Sequence, residues 1–163
     1  MIRISRLTDY GIVLMSYVAA HPDRIHTATE VAGGARLPLP TVSKLLRLLA
    51  TEELLTSQRG VKGGYGLARP PAQISLADIV GALEGPIALT LCTDETHSDC
   101  EYEQRCPMRG HWQKINHAIR QALESIPLSE MGTPLAATPF VASPATSADQ
   151  DSPLRPDALA ARA

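Results

Sequence analysis

Cysteine is nearly absent from this chain. Three residues, Cys92, Cys100 and Cys106, are the whole supply among 163. An odd, clustered set of thiols cannot form a self-contained disulfide framework, which excludes the small stapled scaffolds of secreted proteins. Long hydrophobic runs are missing too. Nothing approaches the roughly 20 apolar residues of a membrane-spanning helix, and the opening Met1-Ile2-Arg3-Ile4-Ser5 has no apolar run suited to a signal peptide. The expectation is a cytoplasmic chain with no membrane partner, its thiols kept free by a reducing compartment. No nucleophile–base pair and no general acid–base pair stand out. The glycines at 60, 63 and 64 lead from one strand to another rather than into a helix, so they make no nucleotide loop. An enzyme is not expected, and there is no internal repeat.

What is present is unevenly spread. A chain 44% hydrophobic and 20% charged suits one compact domain with an appendage. The net charge of −2 hides a split. Residues 1–75 hold nine Lys or Arg against five Asp or Glu, a net of +4; residues 76–131 hold four against nine, a net of −5. A basic first half joined to an acidic, cysteine-bearing segment suggests that one part meets a polyanion while the other does something else.

The periodicities give the organisation. Leu7, Gly11, Leu14 and Val18 fall on one face of a first helix over about 7–20. Thr27-Ala28-Thr29-Glu30 reads as a capping box opening a short helix that Gly33-Gly34 should stop. Pro38 and Pro40 straddle the start of a third helix, whose Val42, Leu45, Leu46 and Leu49 sit at i, i+3, i+4 and i+7. Short extended pieces at 54–58 and 65–68 flank Arg59-Gly60-Val61-Lys62-Gly63-Gly64, a hairpin with a basic tip. Ser75 and Asp78 cap a fourth helix that Gly85-Pro86 ends. From about Arg109 a long amphipathic helix lines up Trp112, Ile115, Ile119, Ala122 and Ile126, a face that pairing with the same helix of a second subunit would cover. Beyond Gly132, Ala, Pro, Ser and Thr dominate without apolar period, the composition of a disordered tail.

The expected fold is mainly α with a small β wing: a winged helix–turn–helix at 1–86, a cysteine-rich loop at 87–108, a dimerisation helix at 109–131 and the tail at 132–163. In that order of elements the third helix enters the major groove of double-stranded DNA. Thr41, Ser43, Lys44 and Arg47 lie on its outward side, and hydroxyls and cations there serve base edges or phosphate oxygens. Arg59 and Lys62 on the hairpin reach a minor groove or its flanking phosphates.

The cysteines occupy fifteen residues rich in charge, Thr and Ser, seven residues separating the first two and five the last two. The stretch is too polar for core, so the three thiols point to a metal or iron–sulfur site lacking one ligand. Zinc held by Cys92, Cys100, Cys106 and His111 is one alternative, and a redox sensor in which two of the thiols pair is another.

Leu7-Thr8-Asp9-Tyr10-Gly11, the wing run from Arg59 to Ala68, and Ile74-Ser75 leading a helix to Glu84-Gly85 resemble the dimeric winged-helix regulators of the Rrf family typified by IscR and NsrR. The phrase from Leu83 to Thr90, with Cys106-Pro107-Met108-Arg109-Gly110 and Trp112, looks most like the branch controlling SUF-type cluster assembly genes. The resemblance covers about residues 1–131. It implies a homodimeric transcription regulator, most simply a repressor of promoter DNA, whose three cysteines hold an iron–sulfur cluster, 2Fe–2S ahead of 4Fe–4S; a nitric oxide or iron-status repressor of the same family is the alternative. IscR-like members supply a histidine three residues after the last cysteine. This chain has Arg109 there, which does not ligate. The NsrR-like pattern uses an acidic residue in the first helix of the partner subunit, where Asp9 stands in the matching motif; His111, five residues past Cys106, is the next local candidate, with His97 third.

Overall fold

Ser5 starts the first helix. Its hydroxyl accepts the Thr8 N–H at 3.1 Å, and α1 (Arg6–Ala19) follows, burying Leu14, Met15 and Val18 on one face. This computed structural model describes residues 3–60, 62–94, 100 and 105–131, so the readings made at His97 and on 132–163 lie outside the described residues.

The second helix, α2 (Ala28–Ala35), opens on the expected capping box. Thr27 accepts the Glu30 N–H at 3.2 Å, and the Glu30 carboxylate accepts the Thr27 N–H at 2.8 Å. It does not stop at Gly33-Gly34. The helix runs to Ala35 and ends at Arg36, whose φ of 55° is left-handed. Gly34 has a packing role instead, because a Cβ there would run into the Tyr17 ring; its bareness lets α2 lie against α1.

Pro38 caps α3 (Leu39–Thr51), with Pro40 in the first turn where its missing N–H leaves no bond unmade. The stripe Val42, Leu45, Leu46 and Leu49 is completely buried, each side chain contributing roughly 1.5–3 kcal/mol by leaving water. Strands β1 (Leu55–Gln58) and β2 (Gly64–Leu67) then pair antiparallel, Leu55 opposite Leu67 and Gln58 opposite Gly64. Ser75 and Asp78 form a second capping box at α4 (Leu76–Glu84), which ends at Gly85, φ 89°.

After a 3-10 turn at Leu91–Thr93 the chain reaches α5 (Arg109–Glu124) and a last turn, α6 (Leu128–Met131). α5 packs on α4 and on the 3-10 turn. Its half-buried stripe is Trp112, Asn116, Ile119 and Leu123. Ile115 and Ala122, read from the sequence as part of that face, stay exposed, and Ile126 lies past the helix end. The chain then folds back: Leu128 is fully buried in the core of the first half, its N–H donated to the Ile74 carbonyl at 2.7 Å. The result is a mainly helical winged helix–turn–helix with a two-stranded wing. Among the described residues no helix is long and apolar enough to cross a membrane.

Candidate functional site

Burying the apolar stripe of α3 turns the opposite side outward. Lys44 and Arg47 are exposed there, with Thr41 and Ser43 half-buried beside them. Leu39, in the first turn, keeps 44% of its surface exposed. Arg47 also lines a shallow groove with Ala50, Thr51, Ser57 and Tyr65, which places it between the helix and the wing. At the wing tip the Gly63 N–H closes the turn on the Gly60 carbonyl at 2.9 Å, and Arg59 and Lys62 are exposed on either side. All six residues singled out for DNA therefore lie on α3 or the wing, four of them exposed cations.

The wing is held to the body through His26, which the sequence reading missed. His26 and Tyr65 exchange both backbone hydrogen bonds at 2.8 Å, adding a bridge at the edge of β2. The imidazole is fully buried, edge-on to Tyr17 at 5.6 Å between ring centroids, and its Nε2 lies 3.2 Å from the His21 carbonyl, which that nitrogen meets as donor. A lone polar residue between Ile25 and the Thr27 cap is the only sequence signal for it. In front of it, Glu30 is held below the ordinary glutamate range, first by the Thr27 N–H and hydroxyl and then by Arg24, 3.0 Å away.

The cysteines belong to the segment leaving α4. Cys92 sits in the 3-10 turn with its sulfur 3.2 Å from the Thr90 hydroxyl. Cys106 lies just ahead of α5, its carbonyl accepting the Arg109 N–H at 3.3 Å. All three cysteines are free and half-buried. Asp9 is exposed in the first turn of α1 and His111 in the first turn of α5. Among the described residues, no three His, Cys, Asp or Glu side chains come together closely enough to hold a metal ion. The donor set itself fits iron, since free thiols become the soft thiolates that iron–sulfur clusters and zinc take.

This arrangement has relatives. Residues 4–134 match the family Rrf2, iron-dependent transcriptional regulator. Protein aau3 of Rhizobium meliloti (strain 1021) is 25% identical over 129 residues, spanning 79% of this chain and 84% of that one. CymR (YrzC), the global cysteine regulator of B. subtilis, matches with a TM-score of 0.62 at 28% identity, over 81% of this chain and 97% of its own. IscR of T. potens matches with a TM-score of 0.60 at 27% identity, over 80% of this chain and 85% of its own. With a fold, a wing and a family match that agree from Ile4 onward, the chain belongs to the Rrf2 family of winged-helix transcriptional regulators.

Proposed function

We propose that the protein is a homodimeric, cluster-sensing regulator that binds promoter DNA and controls SUF-type cluster assembly genes, most simply as a repressor released when clusters run short. Residues 1–86 would read DNA, 87–108 carry the cluster and 109–131 pair the subunits. Thr41, Ser43, Lys44 and Arg47 would meet the major groove, with Arg59 and Lys62 on flanking phosphates or the minor groove.

The observation that carries the sensing half is three free, half-buried thiols on the segment that leaves α4 directly after Glu84. Cys92, Cys100 and Cys106 would hold the cluster, 2Fe–2S ahead of 4Fe–4S, with Asp9 of the partner subunit as fourth ligand ahead of His111. When bound, such a cluster supplies a link between the thiols that is labile to oxidants, nitric oxide and iron shortage. The dimer draws support from α5, whose Ile115 (43% exposed) and Ala122 lie two turns apart on an uncovered side, with exposed Ile126 just past the helix end.

Anaerobic purification followed by an absorption spectrum, with iron and sulfide counted per chain, tests the reading. A brown protein that bleaches in air or nitric oxide, and whose affinity for promoter duplexes changes as it bleaches, is the expected result. Failure to take up iron and sulfide on reconstitution overturns it.

A second reading has its own observation. The described thiols are not gathered into a metal-binding group, and a solved relative is a cysteine regulator. A regulator in which two of the thiols pair on oxidation fits those facts, while a zinc-stabilised one would use the same donors as the cluster. A disulfide formed in air would identify the first, and bound zinc in a colourless preparation the second.

A further inference from the structure

Asn116 stands in the middle of the half-buried stripe of α5, flanked along it by Trp112 and Ile119. Its carboxamide reaches the segment that runs from α4 toward Cys92. Nδ2 donates to the Ile87 carbonyl at 2.9 Å, and Oδ1 accepts the Leu89 N–H at 3.1 Å. One planar amide thus pairs with a carbonyl and an N–H two residues apart, as a neighbouring strand would. Asparagine offers that donor and acceptor together on a short stem; of the twenty side chains only glutamine also carries both on one amide, on a longer one.

The ordering continues past the latch. The Thr90 N–H donates to the Thr93 hydroxyl at 3.2 Å, while the Thr93 N–H and hydroxyl both donate to the Thr90 carbonyl at 2.9 Å. That closes the 3-10 turn carrying Cys92, whose sulfur rests against the Thr90 hydroxyl. At the other side, α5 begins three residues after Cys106 and is tied to it by the Arg109 N–H. The Asn116 carboxamide thus joins the arm that leads to Cys92 to the helix that follows Cys106.

We infer that Asn116 is a positioning residue for the cysteine site: its carboxamide latches the Cys92 arm onto α5 and sets where Cys92 stands relative to Cys106. The inference rests on the reading of these cysteines as a functional site. It assigns Asn116 no ligand role.

The test uses the full, reduced, metal-free chain, alkylated with iodoacetamide and mapped cysteine by cysteine. In Asn116→Ala, Cys92 should react about fivefold faster, the effect of losing two hydrogen bonds that restrain its arm. Cys100 and Cys106 should keep their rates, and circular dichroism should keep its helical signal. Thr93→Val cuts the next link without touching α5 and should accelerate Cys92 alone in the same way, so it carries the test if Asn116→Ala does not fold. An unchanged Cys92 rate in a folded variant, or an acceleration shared equally by all three cysteines, overturns the latch. Because the measurement needs no iron, a preparation that never takes up a cluster leaves a positive result standing. A normal iron count with unchanged labelling removes the latch alone.

Discussion

The carboxylate of Glu84, last residue of α4, accepts the backbone N–H of Ser5 at 2.7 Å, across 79 positions of sequence. Ser5 is also the N-cap of α1, so one contact joins the start of the first helix to the point where the cysteine segment departs. Thr8 joins it, its hydroxyl 3.0 Å from that of Ser5. The thiols and the helix bearing Asp9 are thus coupled through Glu84 within a single chain, and α1 and α4 both pack on α3. A change in the cysteine segment has a short material route to α3, the helix proposed to face DNA.

Glu84 should make stability acid-sensitive. Hydrogen bonds from the Thr8 hydroxyl, and then from the Ser5 N–H, hold its carboxyl below the ordinary glutamate range. A depressed folded-state pKa gives stability that is fully present above the unfolded value and lost as pH falls through the folded value. The group is exposed, so solvent keeps the effect to about 1 kcal/mol or less, a fall in Tm of about 2–4 °C. Melting curves between neutral and acid pH should show wild type losing this increment below the ordinary glutamate range. Glu84→Gln should lack it at neutral pH and show the shallower acid slope.

The bridge between His26 and the wing should be broken by one methyl group. A Cβ on Gly64 would run into the His26 carbonyl, which accepts the Tyr65 N–H. Gly64→Ala should lose that pair of bonds, at about 1–3 kcal/mol, and weaken DNA binding further by misplacing Arg59 and Lys62. Urea unfolding gives the first quantity and fluorescence anisotropy on a bound duplex the second. A variant with wild-type values for both would show that the bridge does not hold the wing.

The four exposed cations should separate by role. A phosphate contact weakens binding to all sequences alike, and its removal lowers the slope of log affinity against log salt by about 0.9. A base contact relaxes preference at one position, by about 1–3 kcal/mol. Lys62→Ala and Arg59→Ala are expected to behave in the first way. Lys44→Ala and Arg47→Ala are expected to show some of the second, measured by sequence selection from a random duplex library. If specific binding survives the Lys44 and Arg59 changes together, α3 and the wing do not dock as proposed.

The parts of this fold written in local chemistry were legible from sequence. The α3 stripe is set by i, i+3, i+4 spacing, and both capping boxes are set by residues three apart, so no distant partner had to be known. Gly34 was misread because its reason is tertiary: the ring of Tyr17 occupies the place of its side chain. On α5 the expected amphipathic face divides: Trp112 and Ile119 pack within the chain beside Asn116, whereas Ile115 and Ala122 stay exposed. His26 and Asn116 escaped for one shared reason: the backbone of His26 and the side chain of Asn116 each bond to a segment far along the chain, which no spacing rule encodes. The cysteines were visible as a motif, whereas the fold shows where Cys92 and Cys106 are anchored.

The fourth ligand can be assigned by mixing defective subunits. If Asp9 serves a cluster in the other subunit, Asp9→Ala and Cys92→Ser homodimers each lack a necessary donor at both sites, by different routes. Mixed dimers then contain one complete site, the cysteines of the Asp9→Ala chain facing the intact Asp9 of the Cys92→Ser chain. Co-expression with two affinity tags and anaerobic tandem purification should therefore give about one cluster per mixed dimer, where a symmetric pair of subunits has two sites, and none in either parent. If His111 is the ligand within each chain, the Asp9→Ala homodimer already holds its full iron, His111→Ala loses it, and mixing with Cys92→Ser adds nothing. Both side chains are exposed in the first turn of their helices, so neither substitution opens a core cavity, and loss of iron reports ligation rather than unfolding.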